Sequence, residues 1–195
     1  MIGISAKLTR CAAFLDRDGT IIRQVELLHE LSQLRLLPGA ADAIRLFNDR
    51  GVAVFVTTNQ PVVARGLASQ HEVELINEEL NNRLHVRGAH IDAFYSCPHH
   101  PNATLEQYRT KCSCRKPEPG MILLAARENH IDLSRSVMIG DTTQDVMAGR
   151  HAHVRTILVR TGYGGRDPWQ YPCAPDFTAQ NLLQAAKIWL KAADL

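Results

Sequence analysis

Phe14-Leu15-Asp16-Arg17-Asp18-Gly19-Thr20-Ile21-Ile22 sets two carboxylates one residue apart, straight after an apolar run and straight before a Gly-Thr turn. The run from Cys11 to Leu15 reads as a strand, and a strand in an open α/β sheet delivers the residue after it to the carboxyl edge, where such folds hold their ligands. Asp16 would arrive there with its carboxylate available. A carboxylate can attack phosphorus to form an aspartyl-phosphate, which splits hydrolysis into two easier steps, and a second carboxylate two residues on can act as general acid and then general base. Asp16 is therefore the candidate nucleophile and Asp18 the candidate acid/base. Asp and Gly are also ordinary turn residues, so this reading depends on what the rest of the chain supplies.

Val137-Met138-Ile139-Gly140-Asp141-Thr142-Thr143-Gln144-Asp145 supplies a second acidic stretch of the same construction. An apolar run ends at Ile139, Gly140 permits a tight turn, and Asp141 takes the strand-end position that Asp16 takes in the first stretch. A site that holds a dianionic phosphate among carboxylates needs a hard cation, and Mg2+ takes one or two carboxylates together with substrate oxygens and waters. Asp16 and Asp141 are the expected side-chain ligands. Asp145 falls in the first turn of the following helix, where it either braces a neighbouring group of the site or complements the helix dipole.

Two further segments lie between these stretches. Val54-Phe55-Val56-Thr57-Thr58-Asn59-Gln60 is another apolar strand, ending in hydroxyl and amide groups that can donate to phosphate oxygens without adding charge. Thr58 is the candidate phosphate donor, with Asn59 and Gln60 expected against the substrate. In Cys114-Arg115-Lys116-Pro117 a cation stands before a proline that opens a helical stretch, which predicts Lys116 near a helix N-terminus favourable to anions. Lys116 would neutralise the transferring phosphoryl group.

In this order the four segments resemble the four motifs of the haloacid dehalogenase superfamily of phosphotransferases, from about Phe14 to Asp145. The resemblance implies an α/β fold, a Rossmann-like parallel sheet with helices on both faces, whose first and fourth strands are neighbours and bring Asp16 beside Asp141. It implies Asp16 as nucleophile, Asp18 as acid/base, Thr58 and Lys116 as the phosphoryl-stabilising pair, and Mg2+ held by Asp16, Asp141 and the backbone carbonyl of Asp18. Arg17 between the aspartates and Asn59-Gln60 after the threonine narrow the similarity to the subgroup of heptose-bisphosphate and histidinol-phosphate phosphatases, which lack a large cap domain. In similar enzymes the region between Thr20 and Pro38 is a small flap over the site.

The sequence departs from the subgroup pattern in three places. Residues 21–30 carry no Gly-Tyr-Val segment, Pro61-Val62 stands where Ser-Gly is common, and Thr142 stands where Lys often follows Gly-Asp. The catalytic set survives these changes, and what they touch is the choice of leaving group. Ala64-Arg65-Gly66 and Arg115 match the heptose-bisphosphate pattern, and extra arginines at Arg65 and Arg115 suit a substrate with two phosphates. The resemblance thus implies an Mg2+-dependent phosphomonoesterase whose substrate is D-glycero-D-manno-heptose 1,7-bisphosphate, a small sugar phosphate. Histidinol phosphate is the alternative substrate, and a catalytically silent binding module on the same fold is the alternative of another class.

Cys97-Pro98-His99 and Cys112-Ser113-Cys114 gather three thiols and an imidazole at the two ends of a polar loop. Three thiolates and one imidazole close a tetrahedral Zn2+ site with no open position for chemistry, so the expected role is architectural. The loop from His100 to Lys111 has little apolar material to bury, and a metal staple over 97–114 would explain how it stays ordered. Disulfides are the alternative; no signal peptide is read ahead of the fold, and thiols in the cytosol stay reduced. His99 is preferred to His100 as ligand because alternation along Cys-x-His points Cys97 and His99 the same way. Similar enzymes of the subgroup carry such a metal-bound loop, ending against the Arg-Lys pair. Cys11 and Cys173 are read as unreactive thiols.

The 195 residues suit one catalytic domain over 1–195 with a single core, and nothing in the composition suggests a second. Lys and Arg number 22 against 20 Asp and Glu, with no basic block, which gives no footprint for nucleic acid. No apolar run has membrane-spanning length. A cytoplasmic monomer is expected. Strands are predicted near 11–15, 52–56, 91–95, 136–139 and 154–159, and amphipathic helices near 40–50, 70–86, 118–130, 143–150 and 179–193, the second opened by the capping box Ser69-Gln70-His71-Glu72.

Overall fold

The computed structural model describes residues 10–195, so the first nine positions of the expected 1–195 domain lie outside the described residues. Among the described residues six strands form one parallel sheet: β1 (Ala12–Leu15), β2 (Ala53–Asn59), β3 (Ala93–Cys97), β4 (Val137–Gly140), β5 (Arg155–Val159) and β6 (Phe177–Ala179). Their order is β3-β2-β1-β4-β5-β6, with β1 paired to both β2 and β4. All four residues of β1 are buried, as expected of a parallel strand covered on both faces.

Alternation along the strands divides the core in two. Leu15, Val54, Val56, Ile139 and Ile157 face one way and pack with Phe47 of α1 (Ala40–Asp49), Leu80 of α3 (Gln70–His85) and Trp189 of α6 (Leu182–Ala192). Phe14, Phe55 and Met138 face the other way, against Ile122 of α4 (Gly120–Glu128) and Ala148 of α5 (Thr143–His151). Helices therefore cover both faces, and no large cap is inserted among the described elements. Phe47 and Trp189 meet edge to face with ring centroids 5.8 Å apart, joining α1 to α6. Among the described residues no helix is long and apolar enough to cross a membrane.

The five expected strands are present, and so is the capping box: Glu72 N donates to Ser69 Oγ at 3.1 Å. β6 was not anticipated, because three residues with Phe177 and Thr178 exposed carry no readable alternation. It takes the start of the helix expected near 179, and α6 begins only after Asn181, whose side chain accepts from Gln184 N. The short helix α2 (Pro61–Ala64), with proline in its first turn, was also unread.

Chain reversal on either side of β1 makes the gap between the carboxyl ends of β1 and β4 the switch point at which open α/β sheets hold ligands. Asp16 N donates to Ile139 O at 2.9 Å across that gap, which fixes the start of the β1 loop beside the end of β4. The segment between β1 and α1 returns on itself, with Arg23 N donating to Arg35 O at 2.8 Å and Leu37 N to Ile21 O at 2.9 Å. Residues 24–28 of this segment line the same cleft as Asp16.

Candidate active site

Asp16 and Asp141 enter from β1 and β4, and glycine makes their approach possible. A Cβ on Gly19 would lie 2.4 Å from Asp141 Oδ2 and one on Gly162 would lie 2.1 Å from it; both glycines have positive φ. Only residues without a side chain allow the β1 loop and the segment after β5 to close on Asp141 from two sides. Tyr163 N donates to Asp141 Oδ2 at 2.7 Å. Asp145 does both things the sequence allowed: its Oδ2 accepts from Thr142 N at 3.0 Å within a helix capping box, and its Oδ1 accepts from Lys116 Nζ at 2.5 Å.

Lys116 differs from its expected setting. The helix after it starts at Gly120, not at Pro117, so no helix N-terminus lies at Lys116. The chain first turns, with Glu118 N donating to Arg115 O at 2.8 Å. Side-chain partners hold the lysine instead: Nζ donates to Asp16 Oδ1 at 2.6 Å, to Thr57 O at 2.8 Å and to Asp145. Burial alone would lower its pKa, but the carboxylates of Asp145 and Asp16 outweigh that and push it up.

The end of β2 also differs in detail. Thr58 lines the cleft, and its Oγ1 accepts from Gln60 Nε2 at 2.8 Å. Asn59 and Gln60, expected to bind substrate, both line the cleft and also spend their amide hydrogens within the protein. Asn59 Nδ2 donates to Lys116 O at 3.1 Å and Gln144 Oε1 at 3.2 Å, while its Oδ1 accepts from Lys116 N at 3.0 Å. Gln60 Nε2 donates to Asp18 Oδ2 at 2.9 Å as well as to Thr58. The two amides therefore position Lys116, Thr58 and Asp18.

Asp16, Asp141 and Asp145 each offer a carboxylate oxygen, all within 4.8 Å of one another. Burial, then repulsion from Asp16 and Asp145, pushes Asp141 up to about 9. Burial likewise pushes Asp16 up to about 7 in spite of Lys116 beside it. One lysine does not neutralise this cluster, and a hard divalent cation is the species whose charge and oxygen preference fit it. Both oxygens of Asp145 are held closely, by Lys116 at 2.5 Å and by Thr142 Oγ1 at 2.6 Å, whereas Asp141 Oδ1 has only a long contact from Thr20 Oγ1 at 3.5 Å, so Asp16 and Asp141 are the side chains that fit as ligands.

These groups open into a cleft of about 260 Å³. One wall is residues 24–28 of the segment between β1 and α1; another carries Arg65, His100 and Arg115. The third wall, Tyr163 and Trp169, comes from the segment after β5, which the sequence left unassigned. Asp167 pins this segment to α5, accepting from Thr143 N and Thr143 Oγ1 at 2.8 Å each. Its sequence has no hydrophobic period, and only the run of glycines at 162, 164 and 165 signalled an unusual backbone. His100 was passed over because alternation turns it away from the thiols, and that turn is what brings it to the cleft.

At the far end of the same wall Cys97, His99, Cys112 and Cys114 converge. Cys114 Sγ lies 3.0 Å from Cys97 Sγ, 3.2 Å from Cys112 Sγ and 3.5 Å from His99 Nδ1. The edges of a tetrahedron with Zn–S bonds of usual length are about 3.8 Å, so a small expansion accommodates the ion. The hydrogen bond between Cys97 and Cys114 lowers Cys114 to about 5 and raises Cys97 in turn. Arg115 N donates to Cys112 Sγ at 3.4 Å and Arg115 Nη1 to His99 O at 3.0 Å, which ties this cluster to the cleft. The loop is held elsewhere too, since Thr104 N and Leu105 N both donate to Ala64 O at 3.0 Å.

Comparison with known proteins agrees with this geometry. Residues 113–185 match the HAD-hydrolase-like family model. The chain is 43% identical over 152 residues to D-glycero-beta-D-manno-heptose-1,7-bisphosphate 7-phosphatase of Photorhabdus laumondii, covering 77% of this chain and 81% of the relative. It is 42% identical to the Escherichia coli K12 enzyme of the same name, covering 77% and 80%. The crystal structure of D,D-heptose 1,7-bisphosphate phosphatase from B. bronchiseptica, complexed with magnesium and phosphate, superposes with a TM-score of 0.83 at 29% identity, over 93% of this chain and 99% of that one. The chain belongs to the haloacid dehalogenase-like hydrolases. Within that family it is a phosphatase, and the relatives just described are heptose-bisphosphate phosphatases.

Proposed function

We propose that the chain, as one domain over 1–195, hydrolyses D-glycero-D-manno-heptose 1,7-bisphosphate to the heptose monophosphate and inorganic phosphate. The observation that carries this reading is the carboxylate pair Asp16 and Asp18 opening into a cleft that Arg65 and Arg115 also line. Identity above 40% to phosphatases of that name supports it.

In this mechanism Asp16 attacks phosphorus in line with the ester oxygen, and the P–O bond breaks as Asp18 gives its proton to the departing sugar alkoxide. Asp18 then takes a proton from the water that attacks the aspartyl-phosphate, releasing phosphate and restoring Asp16. Lys116 and Thr58 bind the phosphoryl oxygens, where charge builds in the transition state. Asp16, Asp141 and the backbone carbonyl of Asp18 would hold Mg2+, which supplies charge neutralisation for the incoming dianion.

The second anionic group of the substrate falls to Arg115 and Arg65. Arg115→Ala is expected to lower kcat/KM for the bisphosphate by roughly 1.5–3 kcal/mol, the worth of a charged hydrogen bond, and by clearly less for a matched monophosphate. Histidinol phosphate carries an ammonium where the second phosphate would be, and these arginines repel it. Parallel steady-state assays on the three esters decide the matter: preference for histidinol phosphate, or equal losses on both sugar esters, rejects the bisphosphate assignment.

Cys97, His99, Cys112 and Cys114 hold a structural Zn2+ in this reading. Protein purified without chelator should contain about one zinc per chain, the stoichiometry of a closed Cys3His site. Cys112→Ser should lose the metal, melt at lower temperature and lose activity, because the loop leads directly into Arg115 and Lys116. Metal-free protein of undiminished stability would show that the four ligands serve another purpose. The same reading places the enzyme as a monomer in the cytoplasm, where such thiols stay reduced.

A further inference from the structure

We infer that Arg17 and Asn77 form a buried brace that fixes which oxygen of Asp18 handles the proton. This rests on the phosphatase reading above. Arg17 has no exposed surface and Asn77 is 4% exposed. The guanidinium turns back under its own loop: Nε and Nη2 donate to Asp18 Oδ2 at 3.1 and 3.0 Å, and Nη1 donates to Asn77 Oδ1 at 2.9 Å. Gln60 Nε2 donates to the same Asp18 Oδ2 at 2.9 Å. Three donors leave no room for a proton on Oδ2. Oδ1 has one long contact, 3.4 Å from Arg17 Nη2, and is the oxygen left for proton transfer.

Arg17 is not among the residues lining the cleft, so it acts on substrate only through Asp18. A guanidinium withdrawn from water needs its donors satisfied. Asn77, in the middle of α3, supplies the acceptor on the side away from Asp18 and so sets the plane of the fork. Asp18 itself keeps 17% of its side chain exposed. Without the fork its carboxylate could turn in the cleft mouth, and misplacement by about an ångström costs a catalytic group on the order of a hundredfold. Arg17 and Asn77 are positioning residues.

Leaving groups separate this role from plain structural support. A sugar alkoxide needs a proton as it departs, whereas p-nitrophenolate leaves without one, and kcat/KM covers the steps up to that departure. Asn77→Leu removes the acceptor at similar volume and should lower kcat/KM for the sugar phosphate by about 10–100-fold, part of what a positioned general acid supplies. For p-nitrophenyl phosphate the loss in kcat/KM should stay under about threefold, any fall in kcat from the slower second step being matched by a fall in KM. Asn77→Asp keeps the acceptor and should stay within about threefold on either ester. Arg17→Lys, which keeps the charge but cannot fork between Asp18 and Asn77, should repeat the selective loss and guards against misfolding of the leucine variant. Equal losses on both esters, or none on the sugar phosphate, overturn the brace while the phosphatase reading stands. A parent enzyme that hydrolyses neither ester overturns that reading and the brace with it.

Discussion

Asp16→Asn abolishes turnover and leaves a folded protein that is at least as stable as the parent. An amide is a poor nucleophile toward phosphorus, so loss of the carboxylate should cost several orders of magnitude in kcat. Stability moves the other way because Asp16 is buried among other carboxylates. Its carboxyl is pushed from the ordinary aspartate value up to about 7 by burial, with Asp145 and Asp18 adding to the rise. A group that binds its proton more tightly folded than unfolded loses stability as the pH rises between those values, and the full penalty is present above about 7. In Mg2+-free buffer the asparagine variant should therefore melt higher than the parent at pH 8, with the gap closing toward pH 4. The amide oxygen still accepts from Lys116, so no donor is orphaned. Residual activity above about a tenth of the parent under saturating Mg2+ would rule out Asp16 as nucleophile, because no other group could mask so large a loss.

Lys116→Met should damage both turnover and fold. The ammonium is 4% exposed and bridges two buried carboxylates, Asp16 and Asp145. Removing one partner from a buried ion pair strands the other charges and costs about 3–5 kcal/mol. At about 2–4 °C per kcal/mol for a chain of this size, the melting temperature should fall by roughly 6–20 °C. Turnover should drop by roughly 10²–10³ or more, the usual cost of one electrostatic contact to a transition state. Thermal unfolding measured alongside kcat separates the two effects. An unchanged melting temperature would mean that the acidic cluster is neutralised by something other than Lys116.

Methionine at this position also tests how the lysine is held. Its sequence context, a cation before proline, suggested a helix N-terminus as the source of anion affinity, whereas its settings in space are the carboxylates of Asp16 and Asp145 and the amide of Asn59. The positive charge of this corner is therefore the lysine's ammonium, held by Asp16 and Asp145, and not the dipole of a helix.

Local chemistry was legible because strands report their own ends. An apolar run followed by Asp16, Asp141 or Thr58 says that a polar group waits at a sheet edge, and the periods of two and 3.6 locate the elements to within a few residues. The metal-ligating spacing of Cys97-x-His99 and Cys112-x-Cys114 is equally local, since both halves lie at the ends of one loop. The sequence by itself thus determined the class of chemistry, the acidic pair, the expected zinc ligands and the alternation of strand and helix.

Tertiary structure decided everything that depends on which distant segments meet. The wall made by Tyr163 and Trp169 comes from a segment with no period, held in place by Asp167 on Thr143. Asn59 and Gln60 read as substrate donors along the strand, and their bonds to Lys116 and Asp18 exist only because those groups arrive beside them. Arg17 meets Asn77 across 60 residues of chain. A sequence records each donor and acceptor without its partner, and hydrogen bonds between side chains depend on ångström-scale geometry that only the packed sheet and helices supply.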